Sequence, residues 1–212
     1  MTDSASDHQP TMSTGMDHPT PASSGAPLRA DAQRNRDAIL HAARLVIAEQ
    51  GYRVPLHLIA KRAGVGRATM NRRFPTRESL IMASAQQNMA RLRQLATQTA
   101  DQPDSLLQML TETATIVDRD KGFINFLYSP DVPPALREEL ARELVDIMSP
   151  ALHQAQQAGL LRPDLDPVDI ILIVDMLVGP LTHPLPSQAD LNSRVTKVLA
   201  LIHTAIGVEP RH

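Results

Sequence analysis

Residues 56–77, LHLIAKRAGVGRATMNRRFPTR, decide the fold of this chain. Three apolar residues in the first half of this stretch recur at helical spacing, namely Leu56, Ile59 and Ala63. They predict a short helix with one buried face. Gly64 and Gly66 follow, and because glycine tolerates a positive φ at a helix end, they predict a tight turn. Pro75 ends a second short helix, since proline cannot donate the next backbone hydrogen bond.

The second helix of this stretch has two different faces. Met70 and Phe74 are four residues apart and share a face that we expect to be buried. Centred on the opposite face are Ala68, Thr69 and Arg72, flanked by Arg67 and Asn71. Arg can fork onto guanine or phosphate, Asn can pair with adenine, and a small Ala lets a helix approach base edges. The pattern predicts a helix that reads double-stranded DNA; the alternative is a structural helical hairpin without DNA binding.

Two segments of the chain resemble the tetracycline-repressor (TetR) family of bacterial transcriptional regulators. IAKRAGVGRATMNRRFPTRESLI, residues 59–81, is similar without a gap to the DNA-binding domain of that family. AILHAARLVIAEQGY, residues 38–52, resembles the first helix of the family. Family members usually carry Tyr, a phosphate contact, where this chain has Asn71. The candidate DNA contacts are Arg36, Leu56, Gly66, Arg67, Ala68, Thr69, Asn71, Arg72, Arg73 and Arg77.

The resemblance implies a helix-turn-helix head, a long connecting helix and an all-helical domain that binds a ligand and forms a dimer. It further implies a ligand-responsive repressor that binds a palindromic operator as a homodimer and is released by a small, mostly apolar effector. Activation instead of repression is an alternative. Two other classes stay open: a protein-interaction module derived from a helix-turn-helix without specific DNA binding, and an all-helical enzyme.

Charge is segregated along the chain, although the formal net charge is only −2. Residues 29–81 hold eleven Lys or Arg against four Asp or Glu, whereas the remainder holds ten against nineteen. A basic segment attracts phosphates, and an acidic remainder limits nonspecific binding. Arg36 lies with Arg29 and Arg34 at the start of the first predicted helix, where side chains can contact a phosphate backbone. Solvated charges are an equally weighted alternative for these three.

Composition divides the chain into three parts. Residues 1–28 are rich in Ser, Thr, Pro and Asp, which cannot offset the entropy cost of ordering a backbone, so we expect a disordered tail. Residues 29–81 are predicted as the helix-turn-helix domain and residues 82–212 as the helical ligand-binding and dimerisation domain. No strand alternation is evident, so the fold class is all-α.

Pro and Gly residues set the predicted helix boundaries. Helices outside the opening stretch are predicted at 31–50, 76–100, 103–118, 121–128, 134–158, 167–178 and 188–206. The boundary signals are Thr76 as an N-cap, Asp166 and Pro167 as a start, Gly179 and Pro180 as an end, and Ser187 with Asp190 as a capping box.

The ligand pocket that the resemblance implies lies among the middle helices. The aromatic residues of the second domain cluster in one short segment, and they are Phe123, Phe126 and Tyr128. Adaptable apolar candidates are Met109, Met148 and Met176. These six are the candidate ligand contacts, and ordinary core packing is the alternative for each of them.

The last two helices carry a dimer signal. DIILIVDMLV, residues 169–178, is apolar on nearly every side, so it must be buried from more than one direction. The final helix repeats apolar residues at alternating spacings of four and three, which is typical of a packing seam. The predicted dimer residues are Ile170, Ile173, Val174, Leu177, Leu191, Val195, Val198 and Ile202. The alternative is that both helices complete the protomer's own core.

Several kinds of protein are disfavoured by what the sequence lacks. It has no Cys, which fits a reducing compartment, and no apolar run near the ~20 residues of a membrane span. We therefore expect a cytoplasmic protein without membrane contact. No nucleophile motif, HExxH or glycine-rich phosphate loop is present, so we predict no catalytic residue and no cofactor. His8 and His18 have no other strong ligands nearby, so we predict no metal site.

Overall fold

The structure is a computed structural model that describes residues 25–182 and 191–207, with side chains from residue 31 in the first segment and residue 193 in the second. The predicted all-α class is confirmed. In chain order the helices are α1 (Gly25–Gln50), α2 (Leu56–Arg62), α3 (Arg67–Arg73), α4 (Arg77–Gln98), α5 (Ser105–Arg119), α6 (Lys121–Leu127), α7 (Pro134–Gln157), α8 (Asp169–Thr182) and α9 (Leu191–Ile206). None of these helices is both long and apolar enough to cross a membrane.

The first helix starts earlier than predicted. α1 begins at Gly25, whereas the sequence predicts a start at residue 31. Residues 25–28, which composition assigns to the disordered tail, are therefore helical. Residues 1–24, the rest of that predicted tail, lie outside the described residues, as do His8 and His18.

α8 ends later than predicted. It continues through Gly179 and Pro180 to Thr182, although the sequence predicts an end at that Gly and Pro pair. A proline this close to the end of a helix removes only one donor. The Thr182 hydroxyl donates to the Val178 carbonyl at 2.8 Å, which satisfies an acceptor of the last turn. The predicted capping box at Ser187 and Asp190 lies outside the described residues.

The turn between α2 and α3 is a Schellman turn. Gly64 takes the left-handed conformation at φ +68°, and its N–H donates to the Lys61 carbonyl at 3.2 Å. The Val65 N–H donates to the Ala60 carbonyl at 3.0 Å. Gly66 is the N-cap of α3 with φ −67°, so the first glycine alone uses glycine's conformational freedom. The predicted tight turn is confirmed.

Thr76 is the N-cap of α4, as predicted. Its hydroxyl accepts a hydrogen bond from the Ser79 N–H at 3.1 Å, and the Ser79 hydroxyl accepts one from the Thr76 N–H at 3.3 Å. α4 starts directly after α3 and continues beside α5 and α7. We call α1 to α3 the head and α5 to α9 the body, with α4 between them.

The apolar interior forms two clusters. The body core joins α5, α7, α8 and α9 to Leu92 of α4. The head core joins α1, α2 and α3 to the first turns of α4. It also contains Phe123 and Phe126 of α6 and Val132 of the following loop. α6 therefore packs with the head core, although it lies beyond residue 81 in the chain.

α6 lies directly on α1. A Cβ atom on Gly122 would lie 2.3 Å from Cγ2 of Ile47, so a residue without a side chain permits this approach. The Tyr52 ring packs on the Phe126 ring with 5.0 Å between centroids. The Tyr52 hydroxyl donates to Asp131 at 2.9 Å in the loop after α6. The head is thus attached to the body through α6 as well as through α4.

We expect Gly122→Ala to lower the free energy of unfolding by ~1–3 kcal/mol, because the added methyl overpacks against the stiff, branched side chain of Ile47. Gly179→Ala is the matched control, since it adds the same methyl within α8, where no described atom beyond the local backbone lies within 4 Å. Chemical denaturation of both variants measures the difference. Unchanged stability of Gly122→Ala would contradict the close approach of α6 to α1.

Candidate nucleic-acid interface and candidate ligand cavity

α3 presents one face to solvent. Its exposed side chains, which we call the reading stripe, are Arg67, Ala68, Asn71 and Arg72. Met70 and Phe74 are 1 % and 2 % exposed and lie in the head core, which confirms the predicted inward face. Thr69 and Arg73 are half-buried at the two edges of the stripe. The outward face is therefore centred between the pair Arg67 and Ala68 and the pair Asn71 and Arg72. Thr69 lies further from the centre of that face than predicted.

Three other predicted DNA contacts are engaged within the head itself. Arg77 is half-buried, and its Nη2 donates to the Val54 carbonyl at 2.9 Å, which ties the start of α4 to the loop before α2. The Arg36 guanidinium lies 6.0 Å from the centroid of the Phe74 ring. Leu56 packs partly against the head core. These three residues therefore contact the head from outside α3, and their role as DNA contacts stays a prediction.

A small cavity lies beside the reading stripe, between α2 and α3. It measures about 190 Å³, and the residues that line it are His57, Ala60, Arg67, Met70 and Asn71. His57 is exposed, and an imidazole N–H can donate to a phosphate oxygen. Sequence reasoning missed His57 as a candidate contact. The available signal was a polar residue on α2, the helix that precedes α3.

The body contains a larger cavity, of about 290 Å³, between α4, α5, α6, α7 and α8. Its walls are mostly aliphatic, with Leu92, Val117, Leu144 and Val174 among the lining residues. The polar side chains in the wall are Asn88, Thr113, Tyr128, Arg137 and Asp175. An apolar cavity with a few fixed polar groups is the usual form of a small-molecule site. This cavity is the candidate ligand site.

The polar groups of the cavity wall are held by their neighbours. The Tyr128 hydroxyl donates to the Asp175 carboxylate. Partial burial and this carboxylate raise the pKa of the Tyr128 phenol above its usual value, so the phenol stays neutral at physiological pH. Arg137 Nη1 donates to the Ser129 carbonyl at 3.0 Å. A ligand would therefore meet oriented donors and acceptors at the rim of an apolar space.

The six predicted ligand contacts do not lie together. Tyr128 lines the cavity. The other two aromatic candidates pack in the head core, and they are Phe123 and Phe126. Two methionines are fully buried in the body core, and they are Met109 and Met148. Met176 is 47 % exposed on the outside of α8. For the four buried candidates the structure favours the alternative of ordinary core packing.

Sequence reasoning missed the other polar residues of the cavity wall, which are Asn88, Thr113, Arg137 and Asp175. The clearest signal was Asp175, a charge in the middle of the apolar run at residues 169–178. Asn88 gave a similar signal, because it is a polar residue on the buried face of α4. A buried polar residue carries a desolvation cost, so its presence points to a partner or a function.

A buried carboxylate joins the head to the body beside this cavity. Asp120, between α5 and α6, is 1 % exposed. Its Oδ1 lies 2.7 Å from Nε of Arg44 on α1, and its Oδ2 accepts a hydrogen bond from Asn88 Nδ2 at 2.8 Å. Arg119 donates from Nε to Asp120 Oδ1 at 3.1 Å and from Nη2 to Asn88 Oδ1 at 2.7 Å. We call these four residues the junction network.

The outer side of α8 is apolar and exposed. Val168, directly before α8, and Leu172 and Met176 within it recur every four residues and are 66 %, 60 % and 47 % exposed. Leu201 of α9 is 64 % exposed. We call these four residues the outer patch. Exposed apolar side chains that share a helix face are a common mark of an interaction surface.

The predicted dimer residues face the other way, towards the protomer's own interior. Those of α8 are buried in the body core, and they are Ile170, Ile173, Val174 and Leu177. On α9, Ile202 is buried there, and Val195 and Val198 are half-buried against it. The side chain of Leu191 lies outside the described residues. The described members of this set thus pack against the protomer's own core, as in the alternative interpretation, and a role for them in a dimer stays a prediction.

Comparison with known proteins identifies the head. Residues 39–83 match the family model described as bacterial regulatory proteins of the tetR family. A TetR transcription regulatory protein from Mycobacterium vanbaalenii is 26 % identical over 86 % of this chain and 100 % of its own, with a TM-score of 0.61. No curated protein matches the chain.

Two further solved structures share the fold. A TetR transcriptional regulator from Streptomyces coelicolor is 23 % identical over 81 % of this chain and 98 % of its own, with a TM-score of 0.59. SmeT, in a complex with triclosan, is 21 % identical over 82 % and 92 %, with a TM-score of 0.58.

The segment that matches the family model contains α2, the Schellman turn, α3 and the whole reading stripe. The similar solved structures extend the likeness through the body. Regulators of this kind are DNA-binding transcription factors and not enzymes. Residues 39–83 therefore carry the segment that the tetR-family model describes, and the chain shares its fold with TetR transcription regulators of known structure.

Proposed function

We propose that this protein is a ligand-responsive repressor that binds a palindromic operator as a homodimer and releases it when a small, mostly apolar effector binds. The observation that carries the proposal is the exposed reading stripe, which lies within the segment that matches the TetR family. Because its four side chains are exposed, α3 can enter a major groove without rearrangement of the head.

The reading stripe supplies the groups that sequence-specific DNA contacts require. Arg67 and Arg72 offer guanidinium groups, which pair bidentately with guanine or bind phosphate. Asn71 can donate to and accept from adenine, and Ala68 leaves room for close approach to the base edges. Asn71 stands where the family usually has Tyr, so it exchanges a phosphate-binding hydroxyl for an amide that can read a base.

The outer patch is the surface that we assign to the second copy of the chain. Its apolar side chains lie along one side of α8, with Leu201 on the neighbouring helix α9. A twofold dimer pairs one patch with an identical one, so a self-complementary apolar stripe suits it. Such a dimer would place two reading helices on one side of the molecule, where successive major grooves lie about 34 Å apart.

The cavity of the body is the site that we assign to the effector. Its aliphatic walls favour an apolar molecule, and its polar groups favour one that carries a hydrogen-bonding group. SmeT, which shares the fold, was solved with triclosan. α4 runs from its N-cap beside α3 to the cavity wall at Asn88 and Leu92. A ligand that moves α4 therefore changes the spacing of the reading helices.

Selection of bound DNA from a random pool tests the proposed function. A palindromic sequence should be enriched, and its binding should weaken steeply as salt rises because phosphate contacts release counterions. The absence of any enriched sequence would contradict the proposal and leave a protein-interaction module as the better explanation. Enrichment of a single half-site would contradict the dimer but not DNA reading.

We expect Arg72→Ala to weaken operator binding by ~1–3 kcal/mol and to relax the preference at one operator position, if its guanidinium reads a base. Arg53→Ala is the matched control, because Arg53 is another exposed arginine of the head but pairs with Asp131 away from α3. Titration of both variants against the selected operator and its single-position variants measures the effects. Equal affinities of Arg72→Ala and the parent chain would remove Arg72 from the interface.

Leu172→Glu should convert the dimer to monomers, because it places an uncompensated carboxylate in the centre of the outer patch at a cost of at least ~2 kcal/mol. Leu160→Glu is the matched control, since Leu160 is an exposed leucine outside the patch, 43 % accessible to solvent. Sedimentation or light scattering measures the mass of each. A Leu172→Glu variant that stays dimeric, with its helical content unchanged, would place the interface elsewhere.

A further inference from the structure

We propose that Asn88 is a positioning residue that transmits the occupancy of the cavity to the head through Asp120 and Arg44. This inference rests on the proposed function, since it concerns how the same cavity regulates DNA binding. It adds a second route to the one along α4, because it runs from Asn88 of α4 across Asp120 to Arg44 of α1 and does not pass through the loop between α3 and α4.

Asn88 stands at the boundary between the cavity and the junction network. It lines the cavity and is 8 % exposed. Its amide donates to Asp120 at 2.8 Å, and its carbonyl oxygen accepts from Arg119 at 2.7 Å. A ligand that rotates or displaces this side chain must therefore disturb at least one of these two contacts, whereas a ligand that uses only the second N–H or the second lone pair of the amide leaves both intact.

Asp120 cannot lose a donor without a response from its neighbours. Its side chain has no exposed surface, and that of Arg44 is 13 % exposed. A buried carboxylate that loses a partner bears a desolvation penalty, so the remaining partners move to compensate for it. The partner on the head is Arg44, whose Nε lies 2.7 Å from Asp120 Oδ1. Loss of the Asn88 contact thus acts on α1.

The close packing at the start of α6 makes this response a movement of whole helices. Asp120 immediately precedes α6, and Gly122 holds that helix against Ile47 of α1 with no space for adjustment. Arg44 also donates from Nη2 to the Gln87 side chain of α4 at 2.5 Å. α1 is therefore held between α4 and α6 by contacts next to Asn88, the residue of the junction network that lines the cavity. Packed elements of this kind switch between discrete arrangements more readily than they deform.

The test uses a filled cavity, which requires no identified effector. Ala141 of α7 lines the cavity, so Ala141→Trp places a large apolar group inside it. In the otherwise unaltered chain we expect this substitution to change the affinity for the selected operator on the order of 5- to 150-fold, the usual range of allosteric coupling. Ala141→Phe, a smaller filling group, serves if the Trp variant does not fold.

The same filling substitution is then made in two backgrounds. Asn88→Leu removes both polar groups of the relay and should abolish most of the change in operator affinity caused by filling. Gln86→Leu is the matched control, since it replaces an exposed amide of the same helix outside the cavity and the junction network. In that background the change caused by filling should persist.

A distance measurement gives a readout that does not depend on DNA. The 212-residue chain has no Cys, so spin labels on Lys61→Cys in the head and Gln157→Cys in the body are unique. Mixing with an excess of unlabelled chain leaves at most one labelled protomer in most dimers, so the distances are measured within one protomer. Filling the cavity should shift the head-to-body distance in the parent chain and in Gln86→Leu, but not in Asn88→Leu.

The outcomes separate the relay from the proposed function. An equal response to filling in Asn88→Leu and in the parent chain, by affinity and by distance, would overturn the relay and leave the regulator intact. A parent chain that binds its operator but shows no response in either readout would overturn the relay together with effector control. If no operator is found, the distance shifts still support or overturn the relay.

Discussion

The packing of the head against the body depends on the polar contacts of one buried carboxylate, that of Asp120. It lies between α5 and α6 and contacts one residue each from α1, α4 and α5. An uncompensated charge in this position would cost several kcal/mol, and breaking a buried pair typically costs ~3–5 kcal/mol. The three helices are therefore required to meet at this point, and their meeting fixes the head relative to the body.

As a consequence, the head does not pack independently of the body at the end of α4. α6 contributes Phe123 and Phe126 to the head core, and Gly122 brings its first turn against Ile47. Tyr128, which directly follows this short helix, lies in the cavity wall. One helix thus belongs to the packing of the head at one end and to the cavity at the other, while α4 contributes in the same way over a longer distance.

The head could be predicted from the sequence because its signals are local. The glycine turn at Gly64, the inward pair Met70 and Phe74, and the Thr76 cap each depend on residues within one helical turn. The cavity and the faces of α8 could not be predicted in the same way. An apolar helix gives no periodic signal for which side meets which neighbour, so Ile170 and Leu172 look alike in sequence although one is buried and the other exposed. The aromatic residues of α6 were predicted as ligand contacts but pack in the head core, because the residues that surround them are distant in the chain.

Native-state hydrogen exchange on the free protein tests most directly whether the head and body form one unit. The slowest backbone amides of α1, between Ile39 and Ile47, are compared with the slowest of α5, between Leu106 and Val117. If the junction network joins the two parts, both sets should exchange with the same free energy and the same dependence on denaturant, that of global unfolding. A lower free energy of exchange for the α1 amides, with α5 still protected, would mean that the head opens alone and would contradict this account.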